Sequence, residues 1–270
     1  MLELLITYWG FYFVAIPDVN GVGIEDLREV LLELTLNPSW VADLQENPEN
    51  RVNQNRINIG IASLPLKRAL AARIAVFELF IELAVKADGK LLEKHKHSWL
   101  LFQVAYHLDQ VPHPIVRIMK NCFGEASNRA LDAWIARLGH IRTTHKPSMD
   151  DFIIGLDESQ RVVRLHPCPF LSFTNNNTFR SILREIVRIL IIQPTTLFVS
   201  GTGVTMEELQ DAVGSGVSKP AGAELFHELG MFNTWPSLLV FLERYLPPSF
   251  LATGSGIHLQ RRIQEYLLGW

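Results

Sequence analysis

Residues 11–16 form a compact apolar run, Phe-Tyr-Phe-Val-Ala-Ile, closed by Pro17-Asp18, which predicts a strand; the apolar stretch 1–8 before it suits the end of a helix. After the loop Asn20-Gly21-Val22-Gly23, apolar positions recur at helical spacing over 25–36 until Asn37-Pro38 stops them. Residues 43–58, rich in Asn, Glu and Gln, read as an exposed loop. Pro65 is expected to open a long helix carrying Leu66, Leu70, Ile74, Phe77 and Ile81 on one face and ending at Asp88-Gly89. Residues 99–107 and 115–138 continue in helical style on either side of Pro112-His113-Pro114, so 65–140 forms a helical block between two strand-bearing regions and reads as an insertion.

Beyond that block the period changes again. Residues 151–156 and 196–200 are short apolar runs with the amphipathic 179–192 between them, a strand, helix, strand order that implies a parallel pair covered by helices. With the first strand, this predicts an α/β layered sheet. The tail is helical over 237–245 and 258–268, giving a core over 1–235 and a helical C-terminal portion over 236–270.

With 270 residues, 48% of them hydrophobic and 20% charged, the chain can bury a core as one large domain or two modest ones. A net charge of −3, with basic residues scattered, leaves nucleic-acid binding unsupported. Cys122 and Cys168 are too few for a disulfide framework or a thiolate zinc site, which suits an intracellular, reducing compartment. The first sixteen residues lack a basic start and carry Glu3, so a buried element is expected there rather than a signal peptide. No segment has the roughly 18 uncharged apolar residues of a membrane span.

The strongest chemical signal is Phe152-Ile153-Ile154-Gly155-Leu156-Asp157-Glu158-Ser159-Gln160, an apolar strand delivering two carboxylates at its C-terminal edge, where ligands of open parallel sheets bind. Nucleotide hydrolysis needs one carboxylate to hold Mg²⁺ and a second group to activate the attacking water, roles that Asp157 and Glu158 would fill. A strand whose acidic end merely meets solvent has the same sequence. The later run Leu197-Phe198-Val199-Ser200-Gly201-Thr202-Gly203 would lie beside it, its hydroxyls available to a γ-phosphate or a water and its glycines allowing close approach of a ligand. An ordinary strand-to-helix turn with a Ser or Thr cap reads the same way.

These two strands, with Trp9-Gly10-Phe11-Tyr12-Phe13-Val14, Ala72-Arg73-Ile74-Ala75-Val76-Phe77 and Arg261-Arg262-Ile263-Gln264-Glu265-Tyr266-Leu267-Leu268-Gly269, resemble the ATPase domain of Crinkler-like proteins, effector-type and transposon-related proteins of fungi and oomycetes whose ATPase is similar to the AAA+ and STAND branches of the P-loop class. The resemblance covers most of the chain and implies a three-layer P-loop-type parallel sheet with a helical insertion and a helical lid over 236–270. It implies ATP and Mg²⁺ as cofactors, with Asp157 and Glu158 at the Walker B positions, Gln160 closing that motif, Ser200 and Thr202 in the sensor strand between Gly201 and Gly203, and Arg261 or Arg262 sensing phosphate. An attached effector module and delivery to the nucleus belong to the same implication.

The departure from the family is the phosphate loop, since Gly-x-x-x-x-Gly-Lys-Ser/Thr occurs nowhere. Gly214-Ser215-Gly216-Val217-Ser218-Lys219 lacks the glycine before the lysine and runs into Pro220, so it cannot open a helix with the amide nest that cradles phosphate. In the family the loop stands just before the position of Met1, which implies a clipped reading frame or a degenerate copy. Tight ATP binding by this chain is not expected, and a non-catalytic interaction or scaffold domain retaining the fold is the alternative. His95 and His97 in Lys94-His95-Lys96-His97 are read as solvated surface, and His166-Pro167-Cys168 as a loop, because neither offers a full ligand set. The absence of a Gly-x-Ser-x-Gly elbow leaves a serine hydrolase with little support.

Overall fold

Three parallel strands organise the chain: β1 (Trp9–Val14), β2 (Phe152–Asp157) and β5 (Thr196–Val199), in the order β1-β2-β5. The computed structural model describes residues 2–15, 23–45, 48–104, 112–146, 148–172, 179–192 and 195–201. Two compact units divide the chain, 1–219 and 220–270, and the second lies outside the described residues, as do the helices expected over 237–245 and 258–268. Around the sheet stand α1 (Leu2–Thr7), α2 (Asp26–Leu36), α3 (Arg51–Asp88), α4 (Glu93–Val104), α5 (Pro114–Asn121), α6 (Asn128–Thr144), α7 (Ser159–Leu165) and α8 (Leu183–Leu190), with a two-stranded antiparallel pair, β3 (Phe170–Leu171) and β4 (Phe179–Arg180). The molecule is mixed α/β with mostly helical content, and the two parallel pairings agree with the sequence pattern. None of the described helices is long and apolar enough to cross a membrane.

All six residues of β1 and the first five of β2 are buried, as expected for parallel strands covered on both faces. Trp9, Phe11, Phe13, Phe152, Ile154 and Leu156 project into the large core, shared with α2, α3, α5, α6 and α8. There Phe11 meets Phe77, Trp99 and Phe152 edge to face, with ring centroids 5.0–6.2 Å apart. Tyr12, Val14 and Ile153 occupy a smaller cluster with Leu5 of α1 and Leu100 of α4. Gly10 is required at its position because a Cβ there would stand 2.1 Å from the Ile153 carbonyl oxygen.

The outer edge of β1 is closed by side chains. Gln103 receives the Tyr12 N–H at 2.9 Å and donates to the Gly10 carbonyl at 3.2 Å, as a neighbouring strand would. Trp99 Nε1 donates to the same carbonyl at 2.8 Å, and Arg73 Nη1 donates to the Tyr12 carbonyl at 2.7 Å. Arg73 also grips Asp26 with two bonds of 2.6 and 2.8 Å, both side chains fully buried, and stacks 3.9 Å over the Phe13 ring. Among the described residues, the Gly10 carbonyl and both main-chain groups of Tyr12 are thereby satisfied by side chains rather than by a further strand.

Helix α3 begins at Arg51, not at Pro65, so the expected exposed loop over 43–58 is corrected in its second half. Two of its polar residues bond to neighbouring backbone: Asn58, fully buried, donates to the Val41 and Pro169 carbonyls at 2.7 Å, and Asn55 accepts from Leu171 N at 2.9 Å. Pro65 lies buried about four turns into the helix, a position that costs about 3 kcal/mol in isolation; its neighbours Leu66, Ala69 and Leu70 are packed in the core. Gly89, left-handed at φ 73°, ends the helix as expected. The run 115–138 is two helices, α5 under His113 as N-cap and α6 under Ser127. The amphipathic 179–192 splits into β4 and the shorter α8.

Asp26→Ala leaves the Arg73 cation buried and without its carboxylate, and is expected to cost about 3–5 kcal/mol of unfolding free energy, measured by urea titration. A loss below about 1 kcal/mol, the range of exposed pairs, would contradict this reading of the pair.

Candidate functional site at the carboxyl edge of the sheet

Asp157 ends the central strand, so its carboxylate lies between the ends of β1 and β5. It is bound from both sides. Tyr12 Oη of β1 donates to Oδ2 at 2.9 Å; Ser200 Oγ, just past β5, donates to Oδ1 at 2.6 Å; and the Glu158 N–H donates to Oδ1 at 2.9 Å. The Ser200 main chain completes the brace, donating from N to the Leu156 carbonyl at 2.8 Å and accepting at its own carbonyl from Ser159 N at 3.1 Å and Ser159 Oγ at 2.8 Å.

Glu158 adopts φ 56°, ψ 30°, the left-handed conformation, and is the single non-glycine residue with positive φ among the described residues. That turn lets α7 start directly after β2. The Glu158 carboxylate, about a third exposed, accepts from Gln160 Nε2 at 2.5 Å and from Arg161 Nε at 3.4 Å. Gly201 stands against the first turn of α7, where a Cβ would come within 2.3 Å of Gln160 Oε1 and 2.6 Å of Ser159 Oγ. The glycine expected to admit a ligand thus admits α7.

The structure therefore brings together Asp157, Glu158, Gln160, Ser200 and Gly201, while Thr202, Gly203, Arg261 and Arg262 lie outside the described residues, as does the segment 214–220. Tyr12 was not anticipated from sequence; its one signal is a polar tip within an otherwise apolar strand. No group of three or more His, Cys, Asp or Glu side chains suited to a metal occurs among the described residues.

His95 is corrected from solvated surface to a buried side chain. Its Nε2 lies 2.7 Å from Asp88 Oδ2 and its Nδ1 accepts from Leu92 N at 3.1 Å, so it closes the turn between α3 and α4, whereas His97 is exposed. The Lys94 and His95 hydrogen bonds hold the Asp88 carboxyl below its usual range. His166, 2% exposed, accepts from Trp40 Nε1 at its Nδ1 and lies 3.4 Å from Thr35 Oγ1 through Nε2. Burial pushes its pKa below the ordinary histidine value, an effect opposed by a hydrogen bond at the Leu31 carbonyl. Burial likewise raises the Cys168 thiol, which accepts from Gln45 Nε2 at 3.0 Å.

Comparison with protein-family models, with curated proteins and with solved structures finds no match to this chain.

Two outcomes are expected. Glu158→Gly raises stability slightly, because relief of about 1–2 kcal/mol of left-handed strain exceeds the roughly 0.5–1 kcal/mol of added chain entropy, whereas Glu158→Val lowers it. Equal losses in both variants, measured by chemical denaturation, would refute a strained Glu158. For His166, the unfolded chain takes up a proton near its ordinary pKa of about 6.5 while the folded chain resists it. Stability is then flat above that pH and declines as pH falls from there through the lower folded pKa. His166→Gln should flatten that decline in melting temperatures recorded between about pH 5 and 7.

Proposed function

We propose that this chain is the body of a P-loop-type ATPase domain of the Crinkler-like class, in a three-layer α/β fold, with Asp157 at the Mg²⁺-holding position and Glu158 at the water-activating one. The observation that carries the reading is the acidic end of a central parallel strand clamped by the serine hydroxyl of the adjacent strand. The Ser200–Asp157 contact supports the pairing of Asp-Glu-x-Gln with Ser-Gly-Thr-Gly that the resemblance implies. A strand end that only met solvent would leave Asp157 to water.

The donor set fits Mg²⁺ of the nucleotide-borne kind. A carboxylate has four acceptor positions; three on Asp157 receive protein donors among the described residues, and one remains on Oδ2. Mg²⁺ is commonly held by one or two carboxylates with the rest of its shell from water and phosphates, so a single oriented oxygen suffices where a phosphate chain supplies others. When bound, the ion would neutralise charge building on the phosphates. The protein's own part is orientation: Tyr12 and Ser200 fix Asp157, and the Glu158 carboxylate, released from Gln160 and Arg161, would accept a proton from the attacking water. Residues 1–270 contain no Gly-x-x-x-x-Gly-Lys-Ser/Thr, so affinity depends on a phosphate loop supplied from outside them.

Calorimetry with Mg²⁺·ATP compares residues 1–270 with a form extended by the upstream coding sequence, each alone and with Asp157→Ala or Glu158→Ala. The extended form is expected to bind, with Asp157→Ala weakening binding about tenfold or more and Glu158→Ala removing turnover with little change in affinity. If neither form binds, the nucleotide reading falls and a non-catalytic interaction domain takes its place.

A further inference from the structure

Resting on that reading, we propose that Tyr12 is a positioning residue for Asp157, holding the carboxylate so that its remaining Oδ2 acceptor position faces the cation of a bound metal-nucleotide. Packing alone does not require a tyrosine at residue 12. Its ring occupies the smaller apolar cluster beside Leu5, Val14, Leu100 and Ile153, and is 3% exposed. A phenylalanine would fill that space, as Phe11 and Phe13 fill the other face. The hydroxyl instead serves Asp157 Oδ2, at 2.9 Å.

The main chain of residue 12 is also held on its outer side. Its N–H is taken by Gln103 Oε1 at 2.9 Å and its carbonyl by Arg73 Nη1 at 2.7 Å, and Arg73 is locked in turn by Asp26. The backbone that carries the phenol is thus tied to a buried ion pair. With Tyr12 on Oδ2 and Ser200 plus Glu158 N on Oδ1, rotation of the carboxylate about Cβ–Cγ breaks bonds on both oxygens. Hydrogen bonds to a charged acceptor are about twice as strong as neutral ones, and losing an outer partner of a metal-binding group commonly costs 10–100-fold in affinity.

The test uses Tyr12→Phe and Asp157→Asn in the upstream-extended chain, titrated with ATP in Mg²⁺ and again in EDTA. Tyr12→Phe is expected to lower affinity for Mg²⁺·ATP about tenfold and to leave metal-free ATP binding unchanged, a split that a purely structural role does not produce. If Asp157→Asn abolishes the gain from Mg²⁺ while Tyr12→Phe keeps it, Tyr12 is not a positioning residue and the site reading survives. If Asp157→Asn keeps the gain, or no nucleotide binds, the site reading fails and takes this proposal with it. A double-mutant cycle of the two substitutions in residues 1–270, read from the unfolding equilibrium, is expected to show coupling of about fivefold; strict additivity would overturn the proposal without any nucleotide.

Discussion

Arg73 sits in mid-helix on α3 with no exposed surface, and its guanidinium joins α3 to β1, α2 and α4. Asp26 at the first turn of α2 neutralises it, the Tyr12 carbonyl of β1 and Gln103 of α4 accept from it, and the Phe13 ring lies beneath it. Removing both charges from water costs several kcal/mol per ion, so the pair is weak evidence for net stability. What it supplies is a single solution to a docking problem. Leucines and alanines allow α3 to slide along the aromatic face of β1, whereas a planar fork with a carboxylate, a carbonyl and an amide oxygen as acceptors is satisfied in one register.

That register decides which edge of the sheet is available. Arg73 Nη1 shares the Gln103 amide oxygen with the Tyr12 N–H, and together Arg73, Gln103 and Trp99 cover that edge at Gly10 and Tyr12. The central strand β2 then has β1 on one side and β5 on the other, and among the described residues the hydroxyls of Tyr12 and Ser200 meet at Asp157. The link from the ion pair to the site is short, since Tyr12 contributes its carbonyl to Arg73 and its hydroxyl to Asp157.

Much of this was legible in the sequence where a hydrophobic period was strong. The three long strands and helix α2 follow from apolar runs and their stops, and the acidic pair and Ser200 were visible as polar punctuation after strands. The start of α3 was not, because Gln54, Asn55 and Asn58 carry loop-like composition yet serve as side-chain partners for the backbone of Ser39, Val41 and Pro169 and of Leu171 in β3. Composition reports solvent preference, and a buried amide that bonds to coil defeats it. Pro65 misled for a related reason: a proline is a helix start in a chain judged locally, and an interior kink risk in one whose flanks are packed. Tyr12 and Gln103 escaped notice because their significance lies in partners that are far away in sequence, with Gln103 91 residues from Tyr12 and Asp157 145.

The two adjacent acids differ in a way that composition cannot express. Asp157 continues the extended strand and is held by three donors from three places; Glu158 has turned into the left-handed region and, among the described residues, its carboxylate bonds to its own helix, through Gln160 and Arg161. A purely structural junction between β2 and α7 would be met by glycine at that position, with no side-chain strain. Retaining a glutamate there costs about 1–2 kcal/mol of backbone strain and returns only half-exposed contacts, which are worth little individually. The imbalance is intelligible if one carboxylate must be immobile and its neighbour free to change partners, a division suited to holding an ion with the first and moving a proton with the second.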